Sequence, residues 1–389
     1  MKGGELIDEG GYGCVFHPAI NEKGEDMKTL QLVSKLQKYN TSAINEIEIS
    51  GIISNIKGYL NHFAPVIRYA NINVSKIKTD SLKNCSIISD KKVKKLINLK
   101  MNYVDGGSFL NYLIKNKNSK KIINNMIHCY IHILKGIKLL LENNVVHYDI
   151  KGDNILFDEI KEIPIIIDFG LSININKLNM NVLSTGLLKK YFYVYAPDYY
   201  VWPLEIHYIS YLINVNMLPN DDELKEIAKL VTKYNKGLYY NFSSNFINNY
   251  EKLCYRQLLN YKKEKNLNNL IVKILGYKNY WDNYSLSILY LKFLKYFKKE
   301  QGYVYNNFIV FFSKLLLKNI NPNPEKRLTL EDTWQIFTEF IYNNNVSNIK
   351  TFKKLTQLYI INRDNMNKEL IKEKQNLQKI TKKSIQKKD

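Results

Sequence analysis

The densest chemistry in the sequence lies in two neighbouring stretches, Val145-Val146-His147-Tyr148-Asp149-Ile150-Lys151-Gly152-Asp153-Asn154-Ile155-Leu156 and Pro164-Ile165-Ile166-Ile167-Asp168-Phe169-Gly170. Asp149 is a carboxylate in a loop after a predicted helix, suited to orient an attacking hydroxyl and accept its proton. Lys151, two residues on, can steady a phosphate whose charge is moving. Asn154 and Asp168 add oxygen donors of the kind that hold Mg²⁺. Taken singly, each is an ordinary turn residue. Their joint order and spacing arise by chance very rarely, and the reaction they fit is phosphoryl transfer.

Two weaker signals precede them. Ile7-Asp8-Glu9-Gly10-Gly11-Tyr12-Gly13-Cys14-Val15 is a glycine-rich turn between predicted strands, where missing Cβ atoms let the backbone approach phosphates and Val15 packs on adenine. Alone, such a turn is as often a plain hairpin. Leu32-Val33-Ser34-Lys35 is an apolar strand ending in a lysine that could reach the α- and β-phosphates. A buried lysine needs a carboxylate partner. The following helix offers Glu46, favoured by the Glu46-Ile47-x-Ile49 arrangement, with Glu48 as the alternative.

The elements that must position these groups follow from periodicity. Residues 4 to about 36 read as strand, turn, strand, and Ala43–Ile56 carries Ile44, Ile47, Ile52 and Ile56 at near-helical spacing. Residues 57–104 return to strand-like runs, interrupted by a polar excursion near Ser75–Lys95, until Gly106-Gly107 breaks the pattern at a plausible lobe boundary. From Lys120 to Glu142 the positions Ile122, Ile123, Met126, Tyr130, Leu134, Ile137 and Leu141 form one helical stripe. Residues 199–280 are mostly helical, aromatic and Asn-rich without a chemical signature. Ser347–Asp389 is a Lys-rich tail.

With 389 residues and 45% apolar content the chain can fill a sizeable core. Its 57 Lys+Arg against 36 Asp+Glu give +21, a field that favours ATP, acidic peptides, nucleic acid or anionic surfaces. The abundance of Asn, Lys, Ile and Tyr explains much of this as compositional bias. Cys14, Cys85, Cys129 and Cys254 are scattered without a Cys-x-x-Cys pair, which predicts free thiols in a reducing compartment. No apolar stretch reaches bilayer-spanning length, so the expected location is cytoplasmic.

Taken in order, these motifs resemble the eukaryotic-type serine/threonine protein kinase family over nearly the whole chain. The resemblance implies an α+β, bilobal protein kinase fold: a small β-rich N-lobe (1–104), a larger, mostly helical C-lobe (105–346) with a helical insertion at about 199–280, and the tail (347–389). It makes Asp149 the catalytic base, Lys35 the phosphate-binding lysine and Asn154 with Asp168 the ligands of Mg²⁺ or Mn²⁺. In Met101-Asn102-Tyr103-Val104, Met101 resembles the gatekeeper, and the main chains of Asn102 and Val104 would pair with adenine. Phe169 and Gly170 complete the metal-binding motif. Tyr195-Ala196-Pro197-Asp198 resembles the element that closes the activation segment, and Asp198 is expected to pair with Arg327 of Asn321-Pro322-Asn323-Pro324-Glu325-Lys326-Arg327. Asp282, in Trp281-Asp282-Asn283-Tyr284, is expected to support the catalytic loop. Trp202-Pro203-Leu204-Glu205 is a rival landmark.

Three departures stand out. Asp8 replaces the first glycine of the loop, predicting weaker nucleotide affinity. Tyr148 replaces the arginine that commonly precedes the catalytic Asp and receives a phosphate, so ordering of the activation loop by phosphate is not expected. The usual Gly-Thr before the closing motif is absent. Lys151 points to Ser/Thr substrates, and the composition resembles kinases of large cytoplasmic DNA viruses, which would place the protein in a host cytoplasm or a virion. The competing readings are a pseudokinase scaffold and a small-molecule kinase of related fold. The tail lysines Lys353, Lys354, Lys372, Lys374, Lys382, Lys383, Lys387 and Lys388 could bind acidic partners, nucleic acid or anionic surfaces.

Overall fold

A computed structural model of the chain describes residues 4–10, 13–74, 82, 84–89, 93, 95–116, 122–178, 185–215, 217–300 and 307–343. Gly11 and Tyr12 of the glycine-rich turn and the whole Lys-rich tail lie outside the described residues.

Five strands form the N-terminal sheet: β1 (Glu5–Gly10), β2 (Gly13–His17), β3 (Leu32–Lys38), β4 (Val66–Asn73) and β5 (Lys95–Asn102), in the order β1-β2-β3-β5-β4 with every pairing antiparallel. Alternation places Cys14, Phe16, Leu36, Ile72 and Leu96 in one buried cluster, whereas Val33, Val66, Leu99 and Met101 form another with Ala43 of helix α1 (Thr41–Ile53). Asn40 caps α1 by accepting from the Ala43 N–H at 2.9 Å. The helix ends at Ile53, three residues short of the sequence-based expectation.

Between β4 and β5 the short helix α2 (Ser86–Ser89) returns to β2 and brings Leu82, Cys85 and Ile87 into its cluster. Cys14 and Cys85 are joined there by a disulfide across 71 residues of sequence. This corrects the expectation of four free thiols. Spacing along the chain does not reveal that the excursion folds back; Cys129 and Cys254 remain free and buried.

The chain leaves the sheet through Gly106, where an added Cβ would lie 1.9 Å from the Phe157 carbonyl oxygen, so only glycine fits. Helices α3 (Phe109–Lys115) and α4 (Ile122–Glu142) follow, then β6 (Val145–Val146), β7 (Ile155–Asp158), β8 (Ile163–Ile166), β9 (Ile173–Asn174) and α5 (Thr185–Tyr191). The helical part continues through α6 (Leu204–Val215), α7 (Asp221–Tyr234), α8 (Lys236–Tyr239), α9 (Ser244–Lys262), α10 (Leu267–Leu275), α11 (Trp281–Glu300), α12 (Asn307–Asn319) and α13 (Leu330–Asn343). α11 is the axis of its core. Tyr290 meets Tyr130 of α4 edge-on at 4.9 Å, and Phe312 of α12 packs on the same Tyr130 at 4.9 Å. Among the described residues no helix is long and apolar enough to cross a membrane.

Candidate active site

Register fixes the first cluster. Lys35 sits on β3 opposite Val15 of β2 and Leu99 of β5, its side chain one-tenth exposed. Its ammonium lies 2.9 Å from Glu46 Oε2 and 2.9 Å from Asp168 Oδ1. Glu48, one turn edge away, faces outward and pairs with Lys177. Burial alone would lower the Lys35 pKa, but the Glu46 and Asp168 carboxylates outweigh it and hold the ammonium well above its ordinary value. Burial likewise works to raise the Asp168 carboxyl, yet Lys35 pulls it below the usual range.

The backbone around Asp168 is built to present that carboxylate. Asp168 has φ +63°, a left-handed conformation seldom adopted by non-glycine residues. Phe169 anchors the turn, buried edge-on against His147 at 5.1 Å and Phe63 at 6.1 Å. Asn45 of α1 donates to the Gly170 and Ser172 carbonyls at 3.2 and 2.7 Å, so the helix carrying Glu46 is tied directly to this segment.

The second cluster sits on the loop after β6. Both oxygens of buried Asp282 accept backbone N–H groups, His147 at 2.7 Å and Tyr148 at 2.8 Å, and this carboxylate is raised by burial. Asp282 thus clamps the loop in which Tyr148 takes φ +69°. His147 Nε2 bonds the Ile167 carbonyl at 3.0 Å while Nδ1 receives the Asp149 N–H at 3.3 Å, a pattern that puts the ring proton on Nε2. The two chemical stretches are therefore stitched together, and a 3.0 Å bond from Ile167 N to the Asn154 carbonyl adds to this.

Asp149 is almost fully buried, with its side chain 2% exposed. Its Oδ2 accepts from Asn154 Nδ2 at 2.7 Å and from Lys151 Nζ at 3.0 Å. Its Oδ1 accepts the phenolic hydroxyl of Tyr199, whose oxygen also receives Lys151 Nζ at 3.0 Å. A hydroxyl thus stands between a carboxylate and an ammonium. Asn154 uses only its amide nitrogen in these bonds, and its Oδ1 with the Asp168 carboxylate makes a hard oxygen pair. Two such donors suit a divalent ion like Mg²⁺ or Mn²⁺ that completes its shell with water and phosphate.

Tyr199 was not anticipated, because the closing element was placed too early. Arg327 does not pair with Asp198, which is exposed. It forms a fully buried fork with Glu205, Nη1 to Oε1 at 2.6 Å and Nη2 to Oε2 at 2.9 Å, and its Nε donates to the Asn321 carbonyl at 2.7 Å. Pro203-Leu204-Glu205, at the start of α6, is the closing element. A guanidinium in the core needs a carboxylate that also leaves water, and Glu205 is buried where Asp198 is not. The signal was present in the rival Trp202-Pro203-Leu204-Glu205.

Tyr148 replaces a cation with an aromatic plug. Its ring lies 4.9 Å from Trp202, 5.8 Å from Trp281 and 6.1 Å from Phe192, and its carbonyl accepts from Trp202 Nε1 at 2.9 Å. This packing holds the Tyr199–Trp202 turn to the loop without a phosphate. In the glycine-rich strands, Glu9 of β1 accepts from the Ser86 N–H at 2.8 Å, and the N–H of Glu9 itself is capped by Asp8 at 2.9 Å. Ile7 is exposed, Gly10 has open space around its Cβ position, and Gly13 approaches the Leu36 carbonyl too closely for any side chain, a Cβ there falling at 2.3 Å. Met101 is buried under the sheet opposite Val33, and Tyr103 N donates to the Gln31 carbonyl at 2.8 Å, leaving Asn102 and Val104 flanking the exit strand.

Residues 2–341 match the family model described as protein kinase domain. The chain belongs to the protein kinase family. It is 28% identical over 176 residues to the serine/threonine-protein kinase mig-15 of Caenorhabditis elegans, covering 44% of this chain and 14% of that protein. It is 28% identical over 153 residues to the SNF1-related protein kinase catalytic subunit alpha KIN12 of Arabidopsis thaliana, covering 36% of this chain and 28% of the relative. A membrane-associated tyrosine- and threonine-specific cdc2-inhibitory kinase of Drosophila melanogaster is 37% identical over 59 residues, 15% of this chain and 11% of that protein. The chain therefore spans well under half the length of each of these relatives.

Proposed function

We propose that this kinase transfers the γ-phosphate of ATP to serine or threonine hydroxyls of protein substrates. The observation that carries the reading is the hydroxyl held between Asp149 and Lys151, with Tyr199 standing where an acceptor must stand. In the reaction the acceptor oxygen forms a bond to the γ-phosphorus while the bond from that phosphorus to the β–γ bridging oxygen breaks, and ADP leaves. Asp149 orients the hydroxyl and takes its proton, and Lys151 stays within reach of the developing charge. Lys35, fixed by Glu46, faces the α- and β-phosphates, which replace one of its present carboxylate contacts. Asn154 and Asp168 would hold the divalent ion that neutralises the phosphates when bound.

The Ser/Thr assignment rests on Lys151 and on the similarity to the serine/threonine-protein kinase mig-15, whereas the cdc2-inhibitory relative is named for tyrosine and threonine. A pseudokinase reading is disfavoured because Lys35, Asp149, Asn154 and Asp168 are all present and mutually positioned. Transfer from ATP·Mg²⁺ to casein and myelin basic protein, compared between the wild type and Asp149→Asn, tests the proposal. Phosphoserine or phosphothreonine that falls by roughly 10²-fold or more in the variant supports it. Equal background in both proteins with ATP still bound overturns it in favour of a scaffold.

A further inference from the structure

Tyr200, next to the residue that caps Asp149, opens onto a patch the phosphotransfer chemistry does not use. Lys292 Nζ donates to the Tyr200 hydroxyl at 3.2 Å, and the Lys292 and Lys236 ammoniums lie 5.4 and 4.9 Å from the Tyr200 ring centre. Lys295 stands 4.3 Å over Tyr240 and 4.8 Å over Tyr296. Lys292 and Lys295 are three residues apart on α11 and share a face.

The frame under these cations is rigid. Lys236 opens α8, whose Gly237 approaches α11 so closely that a Cβ there would lie 3.2 Å from both the Ile288 carbonyl and Leu291. Asn241 locks the join by donating to the Leu291 carbonyl at 2.6 Å. Among the described residues no carboxylate pairs with Lys236, Lys292 or Lys295. The patch also borders the catalytic loop: the Tyr200 phenol is raised by burial, and Lys236, Asp153, Lys151 and Asp149 all act on it. Three cations over aromatic faces, none of them ion-paired among the described residues, in a patch that borders the catalytic loop at Tyr200, make a receptor for an anion on the molecule that brings the acceptor.

We propose that Lys236, Lys292 and Lys295 form a substrate subsite for an anionic side chain, carboxylate or phosphate, close in sequence to the acceptor hydroxyl. This rests on the phosphotransfer reading above and adds a substrate class to it. Long-range attraction by the net charge of +21 would favour every acidic peptide whatever its pattern. A subsite favours an acid at one or two positions and persists at physiological salt, where exposed charges farther apart than about 8 Å are screened.

The test uses the full chain and peptides with a single serine in which aspartate, phosphoserine, lysine or alanine is moved through the flanking positions. Binding is read by anisotropy and transfer as kcat/KM, both at physiological salt. The expectation is a preference of about tenfold for an anion over alanine at one or two positions, the sum of three modest exposed pairs. The preference is lost in Lys236→Gln/Lys292→Gln/Lys295→Gln and turns toward lysine peptides in the corresponding glutamate variant. A charge-matched Lys225→Gln/Lys229→Gln/Lys233→Gln variant on α7 retains it. Aspartate and phosphoserine arms tell which anion is preferred. A positional preference in binding without transfer upholds the subsite and defeats the phosphotransfer reading. Transfer with no positional preference, or the same preference in the triple glutamine variant, overturns the subsite.

Discussion

The two ammonium–carboxylate clusters of this kinase are built from the same kinds of group and closed in different ways. Lys35 is held by two carboxylates, Glu46 from a helix and Asp168 from a loop that Asn45 ties to that helix. Lys151 is held by one carboxylate and a phenol, Asp149 and Tyr199. The first cluster sets two carboxylates against one ammonium, and in the proposed reaction a phosphate takes the place of one of them. The second is complete in hydrogen bonds and waits for another hydroxyl to take the place of its own. Phosphates and metal are the same for every kinase, so the groups that face them are narrowly fixed. The acceptor side faces a partner peculiar to each enzyme, and there this chain is unlike the pattern it otherwise follows.

The sharpest way to break the comparison is to remove what holds the Tyr199 turn in place. Glu205 and Arg327 are both fully buried, so Glu205→Ala leaves a guanidinium in the core without its partner. Such a loss costs about 3–5 kcal/mol. Chemical denaturation should show a destabilisation of that size, whereas Asp198→Ala, at the exposed position first expected to pair, should fall within ±0.5 kcal/mol. Equal effects of the two substitutions would return the closing element to Ala196-Pro197-Asp198.

That pairing also shows where the sequence was legible and where it was not. Lys35, Glu46, Asp149, Asn154, Asp168 and Asp282 could be named because their spacing is set by local backbone: a strand register, a single helix, one loop. The α4 stripe was legible for the same reason. What failed depends on contacts between distant segments. Asp198 and Glu205 are seven residues apart and both follow a proline at short distance, so only burial decides which reaches Arg327. The Cys14–Cys85 disulfide needs the excursion before β5 to fold back on β2, which no periodicity records. Tyr199 reads as one of many tyrosines until the closing element is placed correctly.

A second difference between the clusters is their response to acid. His207, on α6 beneath the Tyr199–Trp202 turn, bonds the Trp202 carbonyl at 3.1 Å, and burial pushes its pKa down to about 4. In the unfolded chain it titrates near 6.5. Because the folded value is the lower one, the stability tied to neutral His207 is complete above about pH 6.5 and is lost as pH falls toward 4. At pH 5 that loss is about 2 kcal/mol. Buried His62 adds in the same direction, since its pKa falls to about 3. In the Lys35 cluster the two carboxylates diverge: burial raises Glu46, whereas Lys35 holds Asp168 below the usual carboxylate range, so Asp168 stays charged in this window. Denaturation at pH 7 and pH 5 should therefore show the wild type losing about 2 kcal/mol more than His207→Gln. The same loss in both would remove His207 from the acid response.

The smallest effect probes Tyr199 itself. Asp149 Oδ2 is already shared by Asn154 and Lys151, so an incoming hydroxyl must take Oδ1 from the phenol. A hydrogen bond to a charged group is worth about 1.5–3 kcal/mol, and part of it returns when the acceptor hydroxyl makes the same bond. Tyr199→Phe keeps the ring against Trp202, where the two lie 4.7 Å apart, and removes only the competing hydroxyl. The KM for protein substrate should fall by roughly tenfold, about 1.4 kcal/mol, while the KM for ATP stays as it is. A fall in kcat with both KM values unchanged would mean that the phenol holds Asp149 and Lys151 in line during transfer. In that case the second cluster, like the first, is a fixed part of the machinery, and the acceptor hydroxyl shares Oδ1 with Tyr199.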